Sequence, residues 1–255
     1  MEDIILNSYS EFAVAPSKQY SNHLYHFDRE PDRIIETLKH KGFTLNYVIE
    51  DFSYLNIKAL EQVAFPMLCF CDIPDKENRL ESHKTLYGKY GIGLTKNWGN
   101  RHGIQPVHYI VPQSPFACDL KQAIETAFSI NPASAQSETI TLSDFLVTIL
   151  AYAKPLWGLN DKASYCFEDE CEWRFIPSDL APNLPRFIPH PGKDKLENYQ
   201  KTLWRQETYL LEFGYEDISS IFVAAGESQD FCNAIDYFDT TPDNKNKLKM
   251  KIREE

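Results

Sequence analysis

The segment ECEWRF at residues 170–175 carries the residue types with the clearest capacity for chemistry. If this segment forms a strand, Glu170, Glu172 and Arg174 share one face, because side chains alternate along a strand. One interpretation is an exposed strand face with a Glu–Arg ion pair, which contributes about 0–1 kcal/mol. The other is a catalytic or ligand-holding carboxylate in a cleft, since unpaired charges do not enter apolar cores. The residues alone leave both interpretations open.

A histidine, His26, lies between Tyr25 and Phe27 in an apolar stretch that predicts a strand. It is either a partly buried side chain that packs structurally or a pocket residue that hydrogen-bonds a ligand hydroxyl or ribose. A neutral imidazole suits the second role because one ring nitrogen donates and the other accepts.

The glycine-rich segment at residues 87–99 does not match a nucleotide-binding loop. Gly91 and Gly93 lack the third glycine of the dinucleotide-binding fingerprint, and no strand closely precedes them. We interpret the segment as a connector with a short strand at residues 92–94, where glycine permits close approach of a neighbouring backbone.

The six cysteines are predicted to be free thiols. Cys69 and Cys71 fall on one face of a predicted strand, but no second pair with the spacing of a structural zinc site accompanies them. The first ten residues lack the basic and apolar regions of a signal peptide, which predicts a reducing, cytoplasmic location. The longest apolar run, near residues 145–153, is too short to span a bilayer.

The composition predicts a soluble, folded, acidic protein of 255 residues with 43% apolar residues and a net charge of -11. Such a charge argues against wrapping of extended nucleic acid, which requires a basic face. It leaves room for a pocket that holds a small anionic nucleotide, because one or two arginines suffice there. It also suits a basic protein partner.

The order of elements predicts a single α+β domain over residues 22–240, with a lead-in at 1–21 and a charged, solvated tail at 241–255. Strands and helices do not alternate strictly, which favours a mixed or antiparallel central sheet with flanking helices. The predicted strands are 22–27, 43–52, 64–73, 92–94, 107–111, 172–176, 209–213 and 218–224. The predicted helices are one that starts at Pro31 and stops at Gly42, then 77–87, 118–128, 142–152 and 228–238.

Several blocks of sequence occur together in a familiar order. They are LYHF at 24–27, KGF at 41–43, CFCDIP at 69–74, YGKYGIGLTKNWG at 87–99, PVHYI at 106–110, ECEWRF at 170–175 and FGYEDISSIFV at 213–223. Together they resemble the AbiGi family of abortive-infection, phage-defence proteins over roughly residues 22–238. That resemblance implies the antitoxin or regulatory component of a phage-defence pair, with a toxin or phage protein as its partner.

The start of the chain, a strand with YHF followed by a helix and a glycine, is also similar to the opening of ADP-ribosyltransferase-like domains. This second resemblance implies an NAD pocket with His26 on the ribose, Glu172 as the catalytic carboxylate and Glu170 before it. The tyrosine on a middle strand would be Tyr90 or Tyr109. A carboxylate suits the reaction because positive charge develops at the sugar in the transition state.

Arg174 completes the site implied by this resemblance, either by pairing with the NAD pyrophosphate or by holding Glu172 in place. Two functions follow as hypotheses. The first is an ADP-ribosyltransferase or NAD glycohydrolase that serves anti-phage defence, with Glu172, His26 and Tyr90 as catalytic residues. The second is a non-catalytic antitoxin or sensor that binds a protein partner, in which Glu170 and Glu172 are surface charges or pair only with supporting residues.

Overall fold

In the computed structural model, the described residues are 20–74, 79–129, 137–160, 163–178, 180–205 and 210–254. Their contacts divide the chain into two compact units. The first unit holds the described residues of 20–44, 69–105 and 210–254, and the second holds those of 45–68 and 106–205. The single domain predicted over 22–240 stays a prediction. Each unit is discontinuous in sequence, so no shift in composition marks a boundary.

The α-helices are given in chain order. They are α1 Pro31–His40, α2 Arg79–Tyr87, α3 Lys96–Arg101, α4 Pro115–Ser129, α5 Ser137–Ala151, α6 Lys193–Trp204, α7 Ser228–Asp236 and α8 Pro242–Lys249. Within the described ranges, no helix is both long enough and apolar enough to cross a membrane.

The strands lie between these helices and follow the same order. They are β1 His23–Asp28, β2 Gly42–Thr44, β3 Asn46–Asp51, β4 Gln62–Cys71, β5 Tyr90–Thr95, β6 Gln105–Pro106, β7 His108–Ile110, β8 Ala153–Pro155, β9 Trp157–Asn160, β10 Ala163–Cys166, β11 Glu172–Phe175, β12 Ile188–Pro189, β13 Leu210–Glu212, β14 Ile218–Val223 and β15 Ile252–Glu254. Most strand pairs are antiparallel, which confirms the predicted α+β class.

The first unit is built on a sheet in which β5 lies between β1 and β14. Glycine residues allow β5 to lie between two closely packed strands. A Cβ at Gly91 would lie 2.5 Å from Phe27 Cδ1, and a Cβ at Gly93 would overlap the Ser220 hydroxyl. The predicted strand at 92–94 is confirmed, and so is the reason for its glycines, since both neighbouring strands approach too closely for a side chain.

Helix α1 begins as predicted, but a different residue from the predicted one ends it. Pro31 occupies the first turn, where its missing N–H is not needed. The left-handed residue after the helix is Lys41, with φ 54°, and its amide donates to Thr37 O. Gly42, predicted as the helix stop, instead begins β2 and packs against β13, where a Cβ would lie 3.2 Å from Leu210 Cβ.

The segment predicted as a charged tail contains α8 and β15. The Thr241 hydroxyl caps α8 by accepting from the Asn244 amide at 3.3 Å, and β15 pairs in parallel with β14. Leu248 is fully buried. One buried leucine among lysines and asparagines is too weak a periodic signal to predict a packed helix.

In the second unit, β3 and β12 pair antiparallel with β4, and α4 packs against α5. Strands β7 and β8 pair in parallel with Tyr109 opposite Lys154. Strands β9 and β10 form a two-stranded hairpin directly after β8. A short 3-10 turn, Phe167–Glu170, joins this hairpin to the region of β11. This succession brings the acidic motif beside β8.

Candidate functional site

The acidic motif forms a buried charge network in the second unit. Glu170 closes the 3-10 turn, Cys171 adopts a left-handed conformation with φ 45°, and Glu172 begins β11. Glu170, Glu172 and Arg174 are 4%, 7% and 0% exposed. The prediction of an exposed ion pair is therefore wrong, because all three side chains lie inside the unit.

Arg174 is the centre of the network. Its guanidinium donates from Nε to Glu172 Oε1 at 2.7 Å and from Nη2 to Glu172 Oε2 at 3.0 Å, a bidentate pair. It also donates from Nη2 to Glu50 Oε1 at 2.7 Å and from Nη1 to the Ala151 carbonyl at 2.8 Å. The planar fork of arginine thereby joins β11 to β3 and to the last residue of α5.

Lys154 is the second cation of the network. Its ammonium donates to Glu170 Oε2 at 2.5 Å and to Glu172 Oε2 at 2.8 Å. It also lies 5.1 Å from the centre of the Phe167 ring. Because Lys154 precedes the β9–β10 hairpin and Glu170 follows it, this ion pair closes the base of the hairpin.

Tyr109 supports the network from β7. Its hydroxyl accepts a hydrogen bond of 2.8 Å from the Glu172 amide. Burial raises the pKa of Tyr109, so the phenol stays neutral. Four residues predicted for one site, Tyr109, Glu170, Glu172 and Arg174, thus come together in the structure.

The two glutamates that contact Arg174 have opposite pKa shifts. Burial alone would raise the pKa of Glu172, but the charges of Arg174 and Lys154 and hydrogen bonds from both hold it well below the usual range. Burial raises the pKa of Glu50, and the nearby cations offset this only in part. Burial would lower the pKa of Lys154, yet three glutamates raise it well above the ordinary value. Glu172 therefore stays ionised, and it lies between two cations, Arg174 and Lys154, that also stay ionised.

The buried charge network has the properties of a structural element. It consists of Glu50, Lys154, Glu170, Glu172 and Arg174. Both carboxylate oxygens of Glu172 accept from cations. Burying such charges is costly and is tolerated where the geometry and the additional hydrogen bonds are good. The network ties together β3, the end of α5, β8, the 3-10 turn and β11.

His26 and Tyr90 belong to the first unit and have partners there. His26 Nδ1 lies 2.9 Å from the Cys69 carbonyl, so this nitrogen carries the proton, and Phe43 and Phe70 surround the ring. Burial lowers the pKa of His26, which keeps the imidazole neutral. The Tyr90 hydroxyl donates to Glu227 at 2.9 Å, and that bond raises its pKa. Their proposed roles toward NAD stay predictions.

Cysteine, histidine and acidic side chains are the usual protein ligands of metal ions. The six cysteines all lie in the described ranges, and none of them forms a disulfide there. In the described part of the chain, no group of three or more histidine, cysteine, aspartate or glutamate side chains is arranged to hold a metal ion.

Glu50 and Lys154 were not among the site residues predicted from the sequence. A buried face with two carboxylates and one arginine requires a further cation. This requirement is the feature of the sequence that could have indicated a second cation in the site. It does not say which lysine supplies the charge, because Lys154 comes from a distant segment, AKP at residues 153–155.

We expect Glu172→Gln to lower the free energy of unfolding at pH 7 by about 2 kcal/mol, because the amide loses charged hydrogen bonds. Glu50→Gln is the matched control and should cost less, since burial already disfavours the ionised Glu50.

The contribution of Glu172 is present above the ordinary glutamate pKa of about 4.3 and is lost as pH falls toward its lower folded pKa. Glu50 has the opposite sign, because stability falls as pH rises through its raised folded pKa.

Urea unfolding of both variants and the wild type from about pH 3 to about pH 8 would test this expectation. Equal losses for the two variants at every pH would contradict the assigned pKa directions.

Comparisons with known proteins place this chain in a family. A family model described as "Putative abortive phage resistance protein AbiGi, antitoxin" matches residues 41–224, a segment that contains the whole buried charge network. A protein from Lactococcus lactis subsp. cremoris, described as "Abortive phage resistance protein AbiGi", is 33% identical over 205 residues, which cover 71% of this chain and 82% of that protein. No solved structure matches the chain.

These matches define the class of protein: the chain is an abortive-infection protein that serves phage resistance. Within that class it belongs to the AbiGi family, which confirms the first resemblance. The resemblance to ADP-ribosyltransferase-like domains stays a prediction.

Proposed function

We propose that this chain is an antitoxin that neutralises a partner toxin by binding it, without a catalytic cycle of its own. The observation that carries the proposal is the state of Glu172. An NAD-directed carboxylate must face the reacting sugar, where it stabilises developing positive charge. Here Glu172 is buried and faces Arg174 and Lys154 with both oxygens.

Two further facts support a binding role. The family model that matches this chain carries the description antitoxin, which implies a toxin as partner. The net charge of -11 favours association with a basic protein surface and speeds the encounter with it.

The experiment pairs growth rescue with an assay for NAD turnover. The chain is co-expressed with its cognate toxin, and we expect the wild type to restore growth. The Tyr90→Phe variant removes the hydroxyl that the NAD hypothesis requires and leaves the ring stacked on Phe231. We expect it to restore growth as well as the wild type does. The purified wild type should neither consume NAD nor bind it in calorimetry.

Two outcomes would decide against the antitoxin. Failure of the wild type to restore growth, with the folded protein present in the cells, would overturn the proposal. NAD consumption by the wild type that falls in the Tyr90→Phe variant would establish the enzyme instead.

A further inference from the structure

The β9–β10 hairpin exposes an apolar face. Trp157 is 50% exposed and Leu159 is 74% exposed. In the hairpin register, Trp157 lies opposite Cys166 and Leu159 lies opposite Ser164. Directly opposite residues in an antiparallel pair project to the same side, so these four side chains form one face. Cys166 and Ser164 are exposed too. We call this set the outer hairpin face.

The opposite side of the hairpin is anchored to the second unit. Phe167 packs under it, because a Cβ at Gly158 would lie 2.9 Å from Phe167 Cε2. The Tyr165 ring is 5.2 Å from the Phe167 ring, and the Lys154 ammonium lies 5.1 Å from the centre of the Phe167 ring. The buried charge network thus holds the hairpin in place. A fixed surface loses little conformational entropy on binding.

Two acidic residues follow the outer hairpin face closely along the chain. Glu168 and Asp169 follow β10 in the 3-10 turn, and both are exposed. An apolar face followed by acidic residues matches a partner surface that has an apolar centre and basic residues around it.

We propose that the outer hairpin face is the docking surface for the toxin, and that the toxin covers it with an apolar patch bordered by lysine or arginine. This inference rests on the proposed antitoxin function and names the surface that performs it. Tryptophan is enriched among residues that dominate binding energy, so Trp157 is the expected centre of the contact. A second copy of the chain fits less well, because two such faces would bring Glu168 and Asp169 near their own copies.

The test compares two tryptophans of similar exposure. Trp157→Ala should raise the Kd for purified cognate toxin at least tenfold, the scale of about 1.4 kcal/mol or more for a central aromatic residue. Trp204→Ala is the matched control, since Trp204 is 54% exposed in the same unit but lies on α6. It should bind as the wild type does. Leu159→Ser provides a second variant at an even more exposed position, and circular dichroism melting would show that each variant is folded.

The outcomes separate this inference from the proposed function. If the wild type does not bind the toxin, the antitoxin proposal fails. If the wild type binds and Trp157→Ala and Leu159→Ser bind equally well, the toxin docks elsewhere and only the hairpin proposal is overturned. Light scattering covers the alternative occupant: a wild-type dimer that Trp157→Ala converts to a monomer would show that a second copy covers this face.

Discussion

Replacement of Arg174 by methionine is expected to lower the free energy of unfolding by about 3–5 kcal/mol, the usual cost of removing one partner of a buried ion pair. The change leaves Glu172 and Glu50 without their guanidinium and the Ala151 carbonyl without a donor. Methionine preserves most of the volume, so the loss reports the stranded charges and not a cavity. Urea unfolding followed by circular dichroism measures it.

The control is Arg33→Met, because Arg33 forms an ion pair with Asp28 while 70% exposed. An exposed pair of this kind should change stability by about 0–1 kcal/mol. Adding Glu172→Gln to Arg174→Met should recover part of the loss, since the second change removes one stranded charge. If Arg174→Met were as mild as Arg33→Met, the buried charge network would not stabilise the second unit.

The second large effect is expected at Gly88, immediately after α2. We expect Gly88→Ala to destabilise the first unit by about 2–4 kcal/mol, combining a strained backbone with a steric overlap. Gly88 has φ +130°, which side-chain-bearing residues rarely adopt, and an added Cβ would overlap the Asp28 carbonyl and lie 2.5 Å from Arg29 N. These neighbours are backbone atoms of the β1 end, so rotation of a side chain cannot relieve the overlap. Thermal unfolding measures the loss.

Gly192→Ala is the matched control for this substitution. No atom lies within 4 Å of the Cβ it would add, and its φ of -65° suits any residue. Gly192 is the N-cap residue of α6, where alanine is less favourable than glycine, so the loss of stability should be at most about 1 kcal/mol. A melting temperature for Gly88→Ala equal to that of Gly192→Ala would show that the turn after α2 can adjust.

The sequence predicted most elements well because their signals are local. The structure confirms two such local signals. Pro31 starts α1 in its first turn, and the closely spaced glycines of β5 allow close approach of the neighbouring strands. The sequence drew attention to Glu170, Glu172 and Arg174 because charged side chains require partners when they are buried, and the structure shows all three buried in one network, although Glu170 lies in the 3-10 turn and not on the strand.

What the sequence did not predict depends on contacts between distant segments. Glu50 reaches Arg174 across 124 residues of chain, and nothing in the residues around Glu50 indicates that it is buried. Each of the two compact units is likewise assembled from stretches that are far apart in the sequence. Lys41 shows a local limit: glycine is the usual left-handed residue after a helix, yet lysine takes that conformation here while Gly42 serves strand packing.

The discontinuity of the first unit has a consequence for the order of events during synthesis. Its sheet places β5 between β1 and β14, with β15 beside β14, so strands made early must wait for partners made late. Closing such long-range pairs is the slow part of folding, because the loop entropy is lost before the contacts form. Strand β1 can pair with β4 and β5 early, whereas β5 gains its second neighbour, β14, only after residue 223 has been made, so completion of this sheet depends on late steps of translation.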